Sequence, residues 1–283
     1  MKCYIVIPAH NEEAFLRHML NSIVTQSLLP EKVVVVNDNS TDSTAAIIDE
    51  FTAKYHFFHN VNTASSPDHL PGSKIIAAFY KGFKMLDDHY DIIIKLDADI
   101  VLPEKYLESI ATIFKTFPRV GIAGGFIYEK DKHNTWILNH PMNHNHVRGA
   151  FKAYTKACFT AIGGLKPSMG WDTVDELLAR YHGFETYTNK ALKVKHLRPT
   201  GTSYHKKAKL MHGEAMYKMR YGVLLTAIAA AKIAWKQKRL RTFLHHLQGY
   251  YTARKKNLPF LVSKAEGTFI RKYRWKGILK KLL

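Results

Sequence analysis

Asp97-Ala98-Asp99 sets two carboxylates two residues apart, directly after the apolar run Ile92-Ile93-Ile94-Lys95-Leu96. Side chains at i and i+2 of a strand end point to the same side, so this pair can meet one divalent cation. Carboxylate oxygens are hard ligands suited to Mg²⁺ or Mn²⁺, and a metal held by one or two of them completes its shell with water and substrate phosphates. A second constellation, His140, His144 and His146, carries ligand-type side chains. No cysteine lies near it and Asn and Pro interrupt it, so it reads as a mobile loop over the active site and not as a zinc centre.

Short apolar runs alternate with segments of helical apolar spacing along residues 1–199, the pattern of an α/β layer fold. Cys3 to Ile7, Val33 to Val36, Ile92 to Leu96 and Val120 to Ala123 are β-branched runs bounded by turn residues, which predicts buried parallel strands. Between them, Glu13 to Thr25, Ser43 to Lys54, Lys74 to Leu86 and Pro103 to Phe114 read as helices, with Ser40, Thr41 and Asp42 offered as N-caps and Pro103 suited to a first turn. Functional side chains in such sheets gather beyond the carboxyl ends of the strands. Pro8 to Glu12, Asn37 to Ser40 and Asp97 to Asp99 all lie there.

Charge divides the chain. Residues 1–199 hold 22 Lys and Arg against 21 Asp and Glu, whereas residues 200–283 hold 20 against 2. Together with Pro199-Thr200-Gly201, this marks an electrically ordinary domain over 1–199 and a basic, amphipathic helical extension over 200–283, whose charge suits a polyanionic surface. Leu240, Phe243, Leu244, Leu247 and Tyr251 fall on one helical face of the extension. Ordinary globular composition excludes a disordered or collagen-like chain. The two cysteines, Cys3 and Cys158, belong to no metal-spaced pair and read as buried thiols of a reducing compartment. No apolar run approaches the roughly 20 residues that span a bilayer, and the N-terminus lacks a signal-peptide core. The expected location is cytoplasmic, peripheral on the inner face of the membrane.

Taken in order and spacing, four segments resemble glycosyltransferase family 2, inverting enzymes of the glycosyltransferase-A fold: Tyr4 to Glu13, Val34 to Asp42, Gly72-Ser73-Lys74 leading to Gly82, and Asp97-Ala98-Asp99. Val147-Arg148-Gly149-Ala150, followed by Ile162-Gly163-Gly164-Leu165, matches the segment after the donor half. The resemblance covers about residues 3–198. It implies a mainly parallel sheet flanked by helices, a nucleoside diphosphate sugar donor and a divalent cation, Mn²⁺ or Mg²⁺. It places Pro8, His10, Glu12, Asp38 and Lys74 at the donor, Asp97 at the ribose and the metal, and Asp99 at the metal. His196 enters as a further metal or diphosphate ligand.

On the acceptor side the family often shows Glu-Asp, whereas this chain has Gly170-Trp171-Asp172-Thr173-Val174-Asp175-Glu176. Asp172, Asp175 and Glu176 share one helical side at i, i+3 and i+4, and any of them can be the base. Asp172 ranks first, because a place beside Trp171 at the mouth of a helix combines partial burial with access, and Asp175 second. The expected reaction moves a sugar to a hydroxyl of a glycan or lipid-linked acceptor, in polysaccharide or lipid-linked glycan assembly, with an anionic membrane surface as a further partner. Two alternatives are a nucleic-acid-binding protein and a metal-dependent sugar nucleotidyltransferase. Carboxylates at the strand ends repel nucleic-acid phosphates, so no nucleic acid is expected, and Pro8 to Glu13 has none of the glycines of a nucleotidyltransferase phosphate loop.

Overall fold

The computed structural model describes residues 1–64, 72–139, 146–198 and 206–280, with side chains from 209 onward in the last segment. Three strands, β1 (Cys3–Ala9), β2 (Lys32–Asp38) and β3 (Phe58–Thr63), alternate with helices α1 (Leu16–Val24) and α2 (Thr44–Lys54). After α3 (Ser73–Phe83) come β4 (Ile92–Leu96), the short β5 (Ile100–Val101) and α4 (Tyr106–Thr116). Next are β6 (Val120–Lys130), β7 (Trp136–Leu138), β8 (Phe151–Thr155), α5 (Lys156–Ala161), α6 (Trp171–Tyr181) and β9 (Glu185–His196). Helices α7 (Lys206–Lys218), α8 (Val223–Gln237), α9 (Leu240–Lys255) and α10 (Lys264–Leu279) complete the described chain.

Among the described residues the sheet runs β3-β2-β1-β4-β8-β6-β9-β5, with β7 paired to β6. The half that carries β3, β2, β1 and β4 is parallel, and all residues of β1 and β4 are buried, as continuous apolar runs covered on both faces must be. Strand β8 then enters antiparallel between β4 and β6. Helix α1 buries Leu16, Met19, Leu20 and Ile23, an i, i+3, i+4, i+7 stripe. It starts three residues later than its apolar spacing predicts, since residues 13–15 form a turn on the Glu12 carbonyl. Both cysteines are free and buried, and burial pushes each thiol up to about 12.

The C-terminal helices share the buried cluster of the sheet through Ala215, Met216, Tyr217, Met219, Tyr221 and Leu225. Helix α10 meets α6 where Phe269 packs edge-on against Tyr181 and Arg180 lies over the Tyr273 ring. Helices α7 and α9 cross at two glycines. A Cβ on Gly213 would fall 1.8 Å from the His246 carbonyl oxygen, and one on Gly249 would fall 2.0 Å from that of Leu210. The inward face of α9 is therefore His246, Gly249, Tyr250 and Ala253, and the Leu240, Leu244 and Tyr251 stripe remains exposed. Gly213→Ala is expected to force these backbones apart at a cost of about 1–3 kcal/mol, the usual range for overpacking. Calorimetry would read a melting temperature several degrees lower; an unchanged transition would show that the crossing yields. Among the described residues no helix is long and apolar enough to cross a membrane.

Candidate active site

Two loops at the carboxyl ends of β1 and β2 are stitched to each other. In register Ala9 stands beside Asn37, so His10 to Glu13 and, after Asp38 ends β2, Asn39 to Asp42 leave the sheet side by side. Asn11 and Asn39 both take left-handed backbone, with φ of 54° and 55°, conformations that Asn tolerates better than most residues. Asn11 N–H donates to Ser40 Oγ at 3.1 Å, and Asn11 Oδ1 accepts from Thr41 N–H at 2.8 Å. Asp42 accepts from the Thr44 and Glu13 amides, so it holds the start of α2. His10 Nδ1 lies 2.6 Å from the Asp38 carbonyl, which accepts only, so Nδ1 is the donor of this bond and Nε2 is turned away from it. The Asp38 side chain is buried beneath this edge, and Pro8 ends in the same register, opposite Val36.

Lys74 stands half-buried in the first turn of α3. Gly72 precedes it at φ 79°, where an added Cβ would meet the Ser168 carbonyl at 2.6 Å. Ser73 Oγ donates to the Pro167 carbonyl and Tyr80 Oη to that of Leu165, which ties α3 to the loop that leads into α6. The starts of α3 and α6 are thus mechanically joined.

Beyond β4, Asp97 and Asp99 sit beside Glu12. Lys95, fully buried in β4, pairs with Asp97 and also donates to the Gly149 carbonyl. His196 Nε2 lies 3.3 Å from Asp99 Oδ2, while its Nδ1 meets Glu129 Oε1 at 3.0 Å. Arg198 reaches both Glu12 and, at 3.8 Å, Asp99. Burial together with the neighbouring Asp99 and Asp97 charges pushes Glu12 up to about 7, although Arg198 opposes it. Burial also raises Asp97, helped by Asp99 and opposed by Lys95. Asp99 moves down despite its burial, because His196 and Arg198 face it. Among the described residues no three His, Cys, Asp or Glu side chains stand as a ligand cluster. Even so, this set suits a hard divalent cation: burial, and in smaller part each other's charge, holds two of the three carboxylates up, and an added positive charge offsets both.

Helix α6 separates three carboxylates that share one helical side. Asp175 is completely buried; Lys152 Nζ bonds both its oxygens at 3.1 Å, and Tyr154 Oη donates to it at 2.5 Å. Burial pushes Asp175 up to about 6 against the pull of Lys152. Glu176 accepts from the Val147 amide at 2.9 Å and from His146, and meets Lys152 at 3.2 Å. Burial works against its charge, yet Lys152 and His146 bring it down to about 2. Asp172 is half-buried in the first turn of α6, and no hydrogen bond to its carboxylate occurs among the described residues. Lys152 Nζ holds it from behind, donating to its carbonyl at 2.6 Å. Gly149 passes so close that a Cβ there would lie 2.7 Å from Trp171 and 3.0 Å from Asp172. His146 is accounted for as the partner of Glu176; His140 and His144 lie outside the described residues.

Lys95, Lys152, Glu129 and Arg198 escaped the sequence reading. Lys95 and Lys152 oppose each other across β4 and β8, a placement that like charges normally avoid, and both lie against the Trp171 ring. The signal for Lys95 was present, a lone cation inside an apolar strand.

Residues 4–169 match the family described as Glycosyl transferase family 2. Over 106 residues, 37% of this chain, the sequence is 38% identical to the probable glycosyltransferase YdaM of Bacillus subtilis (strain 168). That match spans 24% of the relative, so the chain corresponds to about a quarter of its length. The mannosyltransferase PcManGT from Pyrobaculum calidifontis, solved with GDP-Man and Mn²⁺, superposes with a TM-score of 0.58 at 15% identity, covering 100% of this chain and 81% of that one. S. aureus TarS 1-349 in complex with UDP-GlcNAc superposes with a TM-score of 0.58 at 17% identity, covering 83% and 67% respectively. At such identities the likeness shows the fold, a mixed α/β sheet with flanking helices of the glycosyltransferase-A kind.

Proposed function

The chain belongs to glycosyltransferase family 2, and on that footing we propose that it transfers a sugar, with inversion, from a nucleoside diphosphate sugar to a hydroxyl group. One observation supports this best: Lys95 pairs with Asp97 and donates to the Gly149 carbonyl, and Gly149 packs against Asp172, the one of the three α6 carboxylates that Lys152 does not seal. His10, Asp38 and Lys74 line the donor side, where a carboxylate accepts from a base N–H and a lysine offsets phosphate charge. Asp172 takes the proton of the acceptor hydroxyl; the hydroxyl oxygen forms the new bond to the anomeric carbon as the bond to the diphosphate oxygen breaks, and the diphosphate oxygen keeps the electron pair. Asp97 and Asp99, with His196 beside them, would hold a divalent cation, whose charge would offset that developing on the departing diphosphate. The solved relatives hold UDP-GlcNAc in one case and GDP-Man with Mn²⁺ in the other, which supports a donor of this class. The acceptor belongs to polysaccharide or lipid-linked glycan assembly, at the cytoplasmic face of a membrane that residues 200–283 contact.

Nucleoside diphosphates are expected to raise the melting temperature only when Mn²⁺ is present. At a ligand concentration 100 times its Kd the gain is about 2.7 kcal/mol. The matching nucleotide sugar should be hydrolysed slowly with no triphosphate added. If neither UDP nor GDP shifts the transition with Mn²⁺ and no nucleotide sugar is consumed, the proposal fails.

A further inference from the structure

The corner between α8 and α9 exposes an apolar surface that a water-facing helix pair does not need. Trp235 is 87% exposed, Leu240 75% and Leu244 57%, and Trp235, Leu240 and Phe243 line an open groove of about 600 Å³ floored by Ala234. The corner is rigidly built. Lys238 takes left-handed backbone, φ 51°, and its amide and that of Arg239 close the end of α8 on the carbonyls of Trp235 and Ala234. Nor is the surface a spare packing face: α9 turns His246, Gly249, Tyr250 and Ala253 inward against α7 and the core.

Its surroundings carry one sign of charge. Lys232, Lys236, Lys238, Arg239 and Arg241 are all exposed around the apolar residues. The sequence has no Asp or Glu between Glu214 and Glu266, so α8, α9 and the corner between them carry no carboxylate of their own. Aromatic and leucine side chains at the centre with Lys and Arg at the rim match a bilayer interface, where rings settle at headgroup depth and cations meet lipid phosphates. Of the other aromatic residues of the basic segment, Tyr250 is buried against Tyr217 and Trp275 packs on the core, while Tyr251, Phe260 and Tyr273 are exposed but less so than Trp235.

We propose that the α8–α9 corner is a docking surface for anionic lipid bilayer, with Trp235, Leu240 and Leu244 entering the headgroup layer and the surrounding cations meeting lipid phosphates. This deepens the transferase function proposed above by naming which part of the basic segment touches the membrane.

The experiment is flotation of the full chain with vesicles of phosphatidylcholine containing 30% phosphatidylglycerol, at low and high salt, beside pure phosphatidylcholine vesicles. Trp235→Ser combined with Leu240→Ser should lower binding to the anionic vesicles about tenfold, with melting temperature unchanged because both residues are exposed. High salt should weaken binding of the native chain to the same vesicles. Equal binding by native and substituted chains overturns the proposal, as do failure of the native chain to float and equal flotation with pure phosphatidylcholine. Sedimentation that shows a dimer dissociated by these substitutions also overturns it, by assigning the corner to a second copy of this chain. Hydrolysis of the nucleotide sugar, read in parallel, keeps the two ideas apart: lost flotation with intact hydrolysis removes the docking surface alone, while flotation without hydrolysis supports the surface and removes the transferase function.

Discussion

Asp172→Asn is expected to lower turnover by about 10² to 10⁴ while nucleotide affinity stays near that of the native chain, the range in which a general base contributes. The expectation follows from what surrounds each of the three carboxylates. An asparagine at 172 removes proton-accepting power but leaves the backbone carbonyl that Lys152 holds, so the mouth of α6 keeps its shape. Asp175→Asn acts differently, because it takes one negative charge from a pair whose cation is fully buried. Breaking such a pair costs about 3–5 kcal/mol, so the Asp175 variant should lose melting temperature, and its lost activity should track the unfolded fraction. Steady-state kcat, nucleotide Kd by calorimetry and a thermal melt separate the two variants. A folded, inactive Asp175 variant beside an active Asp172 variant would overturn the assignment of the base.

Asp99→Asn should abolish the stimulation of turnover by Mn²⁺, a fall of at least about 10², since charge neutralisation by a metal contributes several kcal/mol to the transition state. This position is a cleaner probe than Asp97. Asp99 faces His196, which remains paired with Glu129 when the Asp99 charge is removed. Asp97 is the carboxylate partner of Lys95, which is 1% exposed; Asp97→Asn leaves that ammonium with the Gly149 carbonyl and the Trp171 ring. A loss of stability is therefore expected for Asp97→Asn, and its kinetics need correction for folded protein. Manganese titration of turnover at saturating donor, with a melt of each variant, tests both. Full Mn²⁺-stimulated activity of the Asp99 variant would remove the proposed metal role.

Local information in the chain determined much of this protein. The apolar β-branched runs of β1, β2 and β4, the helical spacing of α1 to α4, and the positions of Glu12, Asp38, Asp97 and Asp99 just past strand ends all follow from neighbours a few residues apart. So did the concentration of cations after residue 200. Tertiary structure alone decided the matters that depend on distant partners. Strand β8 carries Lys152 in its middle and does not look like the interior of a sheet, yet it lies between β4 and β6. That cation is tolerable there only because Asp175 and Glu176 arrive from α6 to meet it. Helical spacing placed Asp172, Asp175 and Glu176 on one side and ranked them by their immediate neighbours; the register of β8 under α6 leaves Asp172 reachable and seals the other two. The α9 stripe of Leu240, Leu244 and Tyr251 has good helical periodicity, but periodicity names a face without naming its partner. Gly213 and Gly249 let α7 approach on another side, and backbone contact across those glycines turned the stripe outward.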